Sequence, residues 1–190
     1  VVRYQPVSGW TTYTVKGQKD ALDVAVSARI PLTSANYLAA TVAMMALESE
    51  LTEKLADSGM SFDVSHNFRI YPEERINLLV SVYGVDKEGM ASGTAFRSPI
   101  EVLGSVREAM SGLDGKTIGE NELKHYKAYL KRFLGLEMKD PRYWADAITV
   151  RYLDGKDFTT GYAAAIDALT EADIKKVFSL IDKGSKVEYV

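Results

Sequence analysis

The side chains that most often bind catalytic metal ions are few in this chain. It has two histidines, His66 and His125, and no cysteine among its 190 residues. Two imidazoles bind one zinc ion when they stand four residues apart on a helix, as in a His-x-x-Glu-His motif, whose glutamate activates a water. The sequence contains neither this motif nor its reverse. We therefore predict that this chain binds no metal and carries no catalytic residue of its own.

Each histidine has a functional and a plain interpretation. His66 is in phase with Phe62 and Phe68. It is therefore either a ligand or proton carrier on a partner-facing sheet, or a hydrogen-bonded residue at the margin of the core. The second interpretation is favoured because no other ligand stands at a suitable spacing. His125 adjoins Lys124 on an amphipathic segment and is predicted to be solvated.

Polar residues alternate along the same predicted strand, on the face opposite to Phe62. This polar face either lines a chamber that accepts extended peptides through strand-edge hydrogen bonds or is an ordinary solvated sheet face, and the sequence favours neither. Its residues are Ser61, Asp63, Ser65, Asn67 and Arg69.

Composition is that of a globular protein of one domain. Hydrophobic residues make up 46% and charged residues 26% of the chain, and a chain of this length can bury a substantial core. The net charge of −3, without a long Lys/Arg run, predicts no nucleic acid partner. No window approaches the roughly 20 apolar residues of a membrane helix. We expect a soluble protein, a fragment or processed form, which is exported if its parent carries a signal peptide.

The period of the apolar residues predicts the order of the elements. A run of β-branched and aromatic residues predicts a first strand, and alternating apolar residues predict three more. The short connection between the last two strands predicts an antiparallel hairpin. A helical period predicts one helix after the second strand and two after the fourth. A turn over 17–20 and an exposed loop over 86–98 are predicted between elements. The strands are predicted over 10–15, 21–30, 61–70 and 75–85, and the helices over 34–56, 99–113 and 120–135.

The order of these elements predicts an α+β fold. Helices must cover a sheet face, and an antiparallel sheet can leave its other face polar. We predict a mostly antiparallel sheet with helices packed on one face. Residues 1–9 are predicted to be a linker or lead-in strand, and residues 10–190 a single domain.

The closing stretch of the chain begins with a well-marked helix after Met138. Asp140 can cap it, Pro141 stands in its first turn, where a missing N–H costs nothing, and Gly155 ends it. Large apolar residues recur along it at helical spacing: Trp144, Ile148 and Tyr152.

Two more helices and a strand are predicted to follow. Asp157 is expected to begin the first helix, and Thr170 forms a capping box with Asp173 for the second. Gly184 ends that helix, and residues 186–190 are extended. A tryptophan-bearing helix, a Gly-Lys-Asp turn, a helix opened by Thr-x-x-Asp and a final strand follow in this order. The pattern resembles the carboxyl end of a domain of the pitrilysin/insulinase class of zinc metallopeptidases, which includes the mitochondrial processing peptidases. The resemblance covers the chain from about residue 13 onward.

The resemblance implies a function. In that class two such half-units sit in tandem, and two similar units close around a chamber. Because this chain lacks the zinc motif, the resemblance implies a non-catalytic C-terminal half-unit. It would form the chamber wall and help position a peptide substrate or the zinc-bearing partner. Zinc is then expected in an N-terminal half or a partner subunit of similar fold, which makes the parent a zinc metalloendopeptidase.

The resemblance also suggests which residues contact substrate. The non-catalytic half typically has an arginine near the end of its first helix and a tyrosine at the start of the next strand. Thr52 and Phe62 stand at these positions here, and both replacements remove hydrogen-bonding capacity. Lys54 or Arg69 is expected to substitute. The candidate substrate contacts are therefore Thr52, Phe62 and Arg69, against the plain alternative of a surface threonine and a core phenylalanine.

Two other functions stay open. A structural or scaffold subunit of the same fold, with no proteolytic activity in the assembly, is favoured by the replacements at Thr52 and Phe62. A stand-alone hydrolase is weaker, because no Ser-His-Asp arrangement can be argued from the spacing.

Overall fold

A computed structural model describes residues 9–14, 21–84 and 99–189. The predicted linker over 1–9, apart from Gly9, and the predicted turn and loop over 17–20 and 86–98 lie outside these residues. Within them are five strands, six α-helices and a short 3-10 helix at Pro99–Val102. The strands are β1 Trp10–Tyr13, β2 Ala21–Arg29, β3 Met60–Arg69, β4 Arg75–Gly84 and β5 Ser185–Tyr189. The helices are α1 Ser34–Leu55, α2 Leu103–Gly112, α3 Glu120–Glu137, α4 Pro141–Asp154, α5 Tyr162–Ala168 and α6 Glu171–Asp182.

The described strands form one sheet in the order β1-β5-β2-β4-β3. β2 pairs antiparallel with both β4 and β5, and β3 pairs antiparallel with β4. Only the β1–β5 pairing is parallel among these strands. The predicted α+β fold with a mostly antiparallel sheet is confirmed, and so is the β3–β4 hairpin.

The core lies between one face of this sheet and the helices α1 and α6. Alternate residues of β2 and β4 are buried, as the sequence pattern predicts, while their neighbours point to the open face. Each fully buried Leu, Ile, Val or Phe stabilises the fold by about 1.5–3 kcal/mol. The buried hydrophobic residues of β2 and β4 are Leu22, Val24, Val26, Ala28, Ile76, Leu78, Val80 and Val82.

The predicted helix signals hold at α4 and α6. Asp140 accepts a hydrogen bond from the Arg142 backbone N–H, and Gly155 closes α4 with a left-handed φ of 67°. Thr170 and Asp173 form the predicted capping box of α6. These local bonds satisfy backbone groups that a helix end leaves unpaired.

One predicted helix start is wrong. Asp157 does not begin α5, which starts at Tyr162. The Asp157 carboxylate instead accepts from the backbone N–H groups of Thr159 and Thr160, at 2.9 and 2.8 Å. These bonds hold the backbone in a turn, because short acidic side chains compete with helical hydrogen bonding.

A buried ion pair ties β1 and α2 to β5. The Glu188 side chain is 0% exposed and accepts hydrogen bonds from both Nε and Nη2 of Arg107, the first at 2.9 Å. Thr12 in β1 donates to the same carboxylate at 2.5 Å. The Arg107 guanidinium also lies 5.5 Å from the centre of the Trp10 ring. Bonds from Arg107 hold the pKa of Glu188 below its usual value.

The passage from α6 to β5 is very close to β2. A Cβ added at Gly184 would lie 2.8 Å from Cγ1 of Val26 and 2.9 Å from the carbonyl oxygen of Ser27. Only a residue without a side chain lets β5 reach its place in the sheet without displacing β2.

Candidate functional site

The structure separates the three residues proposed from sequence. Thr52 is exposed near the end of α1, and its hydroxyl donates to the Glu48 carbonyl at 2.8 Å. Phe62 is half-buried against the core, whereas Arg69 is exposed. Because side chains alternate along a strand, Phe62 and Arg69 point to opposite faces of β3. The structure therefore does not bring them together.

The polar face of the sheet is an ordered network of side chains. Asn77 of β4 donates to Asn67 of β3 at 2.8 Å, and the Tyr83 hydroxyl donates to Asp63 at 3.3 Å. β3 stands at the edge of the sheet, and no described strand pairs with its outer side. Alternate residues of this ten-residue strand direct their backbone N–H and C=O groups away from β4, beside a polar surface, and no described strand pairs with them.

A cleft of about 570 Å³ opens on the other face of β3. It lies between the start of α1, β3, the end of α3, α4 and the segment that leads into α5. We call it the aromatic cleft, because six aromatic side chains line it: Tyr37, Phe68, Phe133, Tyr143, Phe158 and Tyr162. Local sequence patterns did not indicate it, since its residues come from five separate segments.

Tyr37 is the centre of the aromatic wall. Its ring stacks on Phe158 with centroids 5.1 Å apart and meets the Phe68 ring edge-on at 5.8 Å. Phe68 and Phe158 also contact each other, at 5.2 Å. Edge-to-face and offset-stacked pairs of this kind are each worth about 0.5–1.5 kcal/mol beyond the area they bury.

His66 lies at the margin of this wall. Its Nε2 is 3.1 Å from the Thr41 hydroxyl, which itself donates to the Tyr37 carbonyl. Since that hydroxyl has one proton, Nε2–H of His66 is the donor to Thr41. Burial lowers the pKa of His66, so the ring is neutral at pH 7. The prediction of a hydrogen-bonded histidine at the core margin is confirmed.

The aromatic cleft has no zinc ligand set among the described residues. No group of three or more His, Asp or Glu side chains is arranged to hold a metal ion in the part of the chain that the structure describes.

Three tyrosine hydroxyls converge on the aromatic cleft. Tyr37, Tyr143 and Tyr162 all line it, and none of these hydroxyls forms a hydrogen bond with the described residues. Burial raises the pKa of Tyr162, and the neighbouring Tyr37 and Tyr143 raise it further. All three therefore stay protonated at neutral pH and can both donate and accept.

The mouth of the aromatic cleft is acidic. Glu137, Asp140 and Asp146 contribute carboxylates and Arg142 a guanidinium. Nε of Arg142 lies 3.6 Å from the Asp140 carboxylate, and the Arg142 side chain is 92% exposed to solvent. The carboxylates of Glu137 and Asp146 have no hydrogen-bond or ion-pair partner among the described residues.

A second hollow, shallower and more polar, lies between α1 and α3. Thr52 and Glu48 line it from α1, and Glu122 and His125 from α3. His125 is exposed there, which confirms the prediction of a solvated histidine. The shallow hollow thus places Thr52, one of the three predicted substrate contacts, beside Glu48, Glu122 and His125.

Sequence comparison finds no relative: no family model matches the chain, and no curated protein matches it. Solved structures do match. The chain superposes over 100% of its length on 21% of the ferredoxin protease FusC, solved in complex with Arabidopsis ferredoxin, with a TM-score of 0.68 and 16% identity. It superposes over 96% of its length on 20% of the periplasmic protease PqqL from Escherichia coli, with a TM-score of 0.66 and 16% identity.

A third match is of the chain's own size. The inactive peptidase domain of a candidate zinc protease from Bordetella parapertussis aligns over 92% of both chains, with a TM-score of 0.62 and 12% identity. The chain spans about a fifth of the length of the first two proteins. The resemblance to pitrilysin-type zinc proteases is thus confirmed at the level of the fold. No described helix is long and apolar enough to cross a membrane.

Proposed function

We propose that this chain is a non-catalytic C-terminal domain of a pitrilysin/insulinase-like zinc metallopeptidase. It forms part of the chamber wall and helps position a peptide substrate or the zinc-bearing partner domain. One observation carries the proposal. The fold is shared with zinc protease domains, one of them inactive, while the sequence lacks the zinc motif.

The edge of β3 supports a role in holding peptide. An extended peptide can add to an open strand edge through main-chain hydrogen bonds, with its alternate side chains reaching the two faces. Phe62 and Arg69 lie near the two ends of this strand, on opposite faces, and could each contact such a peptide. Thr52 would contact substrate or partner separately, from the exposed surface of α1.

Zinc, in this proposal, is bound by an N-terminal half or a partner subunit of similar fold. The test is to compare the full-length parent with a form that lacks this domain. We expect both to bind zinc, and only the complete protein to cleave an unstructured peptide efficiently. The isolated chain should cleave nothing. Peptide cleavage by this chain alone, or full activity without it, would contradict the proposal.

The role of Arg69 has its own test in the parent. Arg69→Gln is expected to raise KM for peptide about threefold to tenfold, because an exposed charge-assisted hydrogen bond is partly screened. Arg132→Gln is the matched control, since Arg132 is exposed on α3. Equal KM values in the two variants would remove Arg69 from the substrate site.

An exported location belongs to the same proposal. PqqL, which shares the fold, is a periplasmic protease. A signal peptide in the parent and its recovery from the periplasm or medium would support export, and recovery from the cytosol would contradict it.

A scaffold subunit without proteolysis in its assembly is the second candidate. The inactive Bordetella domain shares the fold, and α4 exposes large apolar side chains that a permanent partner could cover: Trp144, Ile148, Tyr152 and Leu153. This candidate predicts a stable complex whose partner also lacks His-x-x-Glu-His. Purification of the native complex and the sequence of its partner decide between the two.

A further inference from the structure

The aromatic cleft contains a hydrogen-bonding group that the fold itself does not use. Tyr162 is only 8% exposed, yet its hydroxyl has no hydrogen-bond partner among the described residues. It lines the cleft together with Tyr37 and Tyr143. Every fully buried side-chain nitrogen or oxygen of the described residues has a hydrogen-bond partner, so this unpartnered hydroxyl is open to solvent through the cleft. A ligand that fills the cleft must therefore replace the hydroxyl's bond to water.

The charged side chains of the cleft determine whether a cation or an anion would bind there. Glu137 and Asp146 are unpaired among the described residues, and Asp140 is engaged with Arg142 at 3.6 Å. His66 adds no positive charge at neutral pH. The cleft therefore repels anions and attracts a cation.

The aromatic walls of the cleft favour one kind of cation over another. A planar guanidinium stacks on aromatic rings and offers five N–H donors. The phenol oxygens and the Glu137 carboxylate can accept them. A neutral apolar group would leave the three hydroxyls and the carboxylates without bonds. An ammonium would be attracted as well, but it lacks the flat face that stacks on rings such as Tyr37 and Phe158.

The position of the cleft indicates how the cation arrives. His66 and Phe68 of β3 form part of its lining, and β3 is the open edge of the described sheet. Every second side chain of a peptide added to that edge would face the same side as His66 and Phe68. The volume of about 570 Å³ leaves room for a whole long side chain.

We propose that the aromatic cleft binds the side chain of an arginine carried by an extended polypeptide segment. The proposal deepens the proposed function by naming the class of side chain that is recognised, and it rests on that function only for the origin of the polypeptide. Binding to this chain alone tests it, whether or not a peptidase partner exists.

The first experiment is a titration of the full 190-residue chain, followed by amide NMR shifts, with the blocked peptide Ac-Ala-Arg-Ala-NH2. We expect a Kd of about 1 mM or tighter, which corresponds to about 4 kcal/mol. Shifts should concentrate at the residues that line the cleft. The peptide with citrulline, the neutral isostere of arginine, should bind at least about tenfold more weakly, and the lysine peptide should lie between the two.

Propylguanidinium is the comparison ligand that has the guanidinium group of arginine but no peptide backbone. It should bind more weakly than the arginine peptide, because it cannot pair with the edge of β3. Equal or tighter binding of propylguanidinium would show a site for free small cations and would overturn the polypeptide part of the proposal.

Two variants localise the site. Glu137→Gln removes the charge and keeps the shape, and should weaken arginine binding about tenfold. Tyr162→Phe removes the hydroxyl alone and should weaken it about threefold to tenfold, with Tyr143→Phe as the replacement if it does not fold. Glu53→Gln is the control, because Glu53 is exposed on α1 and does not line the cleft. Equal binding of arginine and citrulline, unchanged affinity in Glu137→Gln, or no binding at 20-fold the expected Kd of about 1 mM would overturn the proposal.

Discussion

Two helices of the closing stretch have equally good caps and very different burial. Both α4 and α6 start at a capping carboxylate or hydroxyl, and they have 14 and 12 residues. α6 buries four apolar side chains: Ile174, Val177, Phe178 and Ile181. α4 buries none, and the exposed fractions along its stripe are 38% at Trp144, 52% at Ile148 and 81% at Tyr152.

The difference shows what caps and apolar spacing determine. They decide that a helix forms, since they satisfy its ends and favour one face. Whether that face is buried depends on what lies beneath it. α6 packs on α1 and β2, whereas α4 packs loosely beside the aromatic cleft. The indole N–H of Trp144 donates to the Met138 carbonyl, 2.9 Å away in the turn that precedes α4.

The largest expected effect tests this difference directly. Phe178→Ala should lower the free energy of unfolding by about 3–5 kcal/mol, because it leaves a cavity in the core. Ile148→Ala should change it by no more than about 0.5 kcal/mol, because Ile148 is half exposed. Urea unfolding followed by circular dichroism measures both. A comparable loss in the two variants would mean that α4 is buried in solution.

The next effect compares a buried ion pair with an exposed one. Arg107→Met leaves Glu188 buried and short of its partner, and should cost about 2–3 kcal/mol. Loss of one partner from a fully buried pair costs about 3–5 kcal/mol, and the 40% exposure of Arg107 reduces this. Arg142→Met, which breaks the exposed pair with Asp140, should cost less than about 0.5 kcal/mol. Equal losses in urea unfolding would refute the contrast.

The same ion pair gives the fold a dependence on pH. Hydrogen bonds from Arg107 hold the pKa of Glu188 below its ordinary value of 4.5. The stabilisation is therefore present above pH 4.5 and is lost as the pH falls through the lower folded-state pKa. Acidification removes only part of what the ion pair contributes to the free energy of unfolding. The stability lost between pH 7 and pH 3 through Glu188 should therefore be smaller than the stability lost in Arg107→Met. Unfolding curves between pH 7 and pH 3 should show a weaker acid dependence in Arg107→Met than in the wild type. Identical dependence would show that Glu188 does not contribute to it.

The smallest effect concerns the caps themselves. Thr170→Ala should lower global stability by about 1 kcal/mol, because α6 unfolds with the core. Asp140→Ala should cost less in global unfolding, since α4 can open locally, and should instead accelerate hydrogen exchange of the α4 amides. Exchange measured by NMR distinguishes the two. Slow exchange throughout α4 in Asp140→Ala would indicate that packing, rather than the cap, holds this helix.

Strands and faces could be predicted from sequence, because a period of two is itself the geometry of a strand. The burial of Leu22, Val24 and Val26 and the β3–β4 hairpin followed from it. The position of β5 between β1 and β2 could not be predicted, since its partners are distant in sequence and leave no local signal. The start of α5 was predicted wrongly at Asp157, because an acidic residue caps a turn as readily as a helix.

The candidate site was less accessible to sequence reasoning than the fold. Thr52, Phe62 and Arg69 followed from the resemblance, and the structure places Phe62 and Arg69 on opposite faces of β3. The aromatic cleft joins residues such as Tyr37 and Tyr162 from segments that carry no common motif. Only the packing of α1, β3 and α5 shows that their side chains meet.

Gly184 has a consequence for any library of variants of this protein. At this position every L-residue other than glycine places its Cβ against Val26 and Ser27, so selection for folded protein should return glycine alone. At Gly155 the barrier is the left-handed backbone, with nothing within 4 Å of an added Cβ. D-alanine, introduced there by semisynthesis, would therefore be accepted. Glycine is required at position 184 because there is no room for a side chain, and at position 155 because the backbone is left-handed. A survey limited to natural L-amino acids would find both positions intolerant and would not distinguish the two causes.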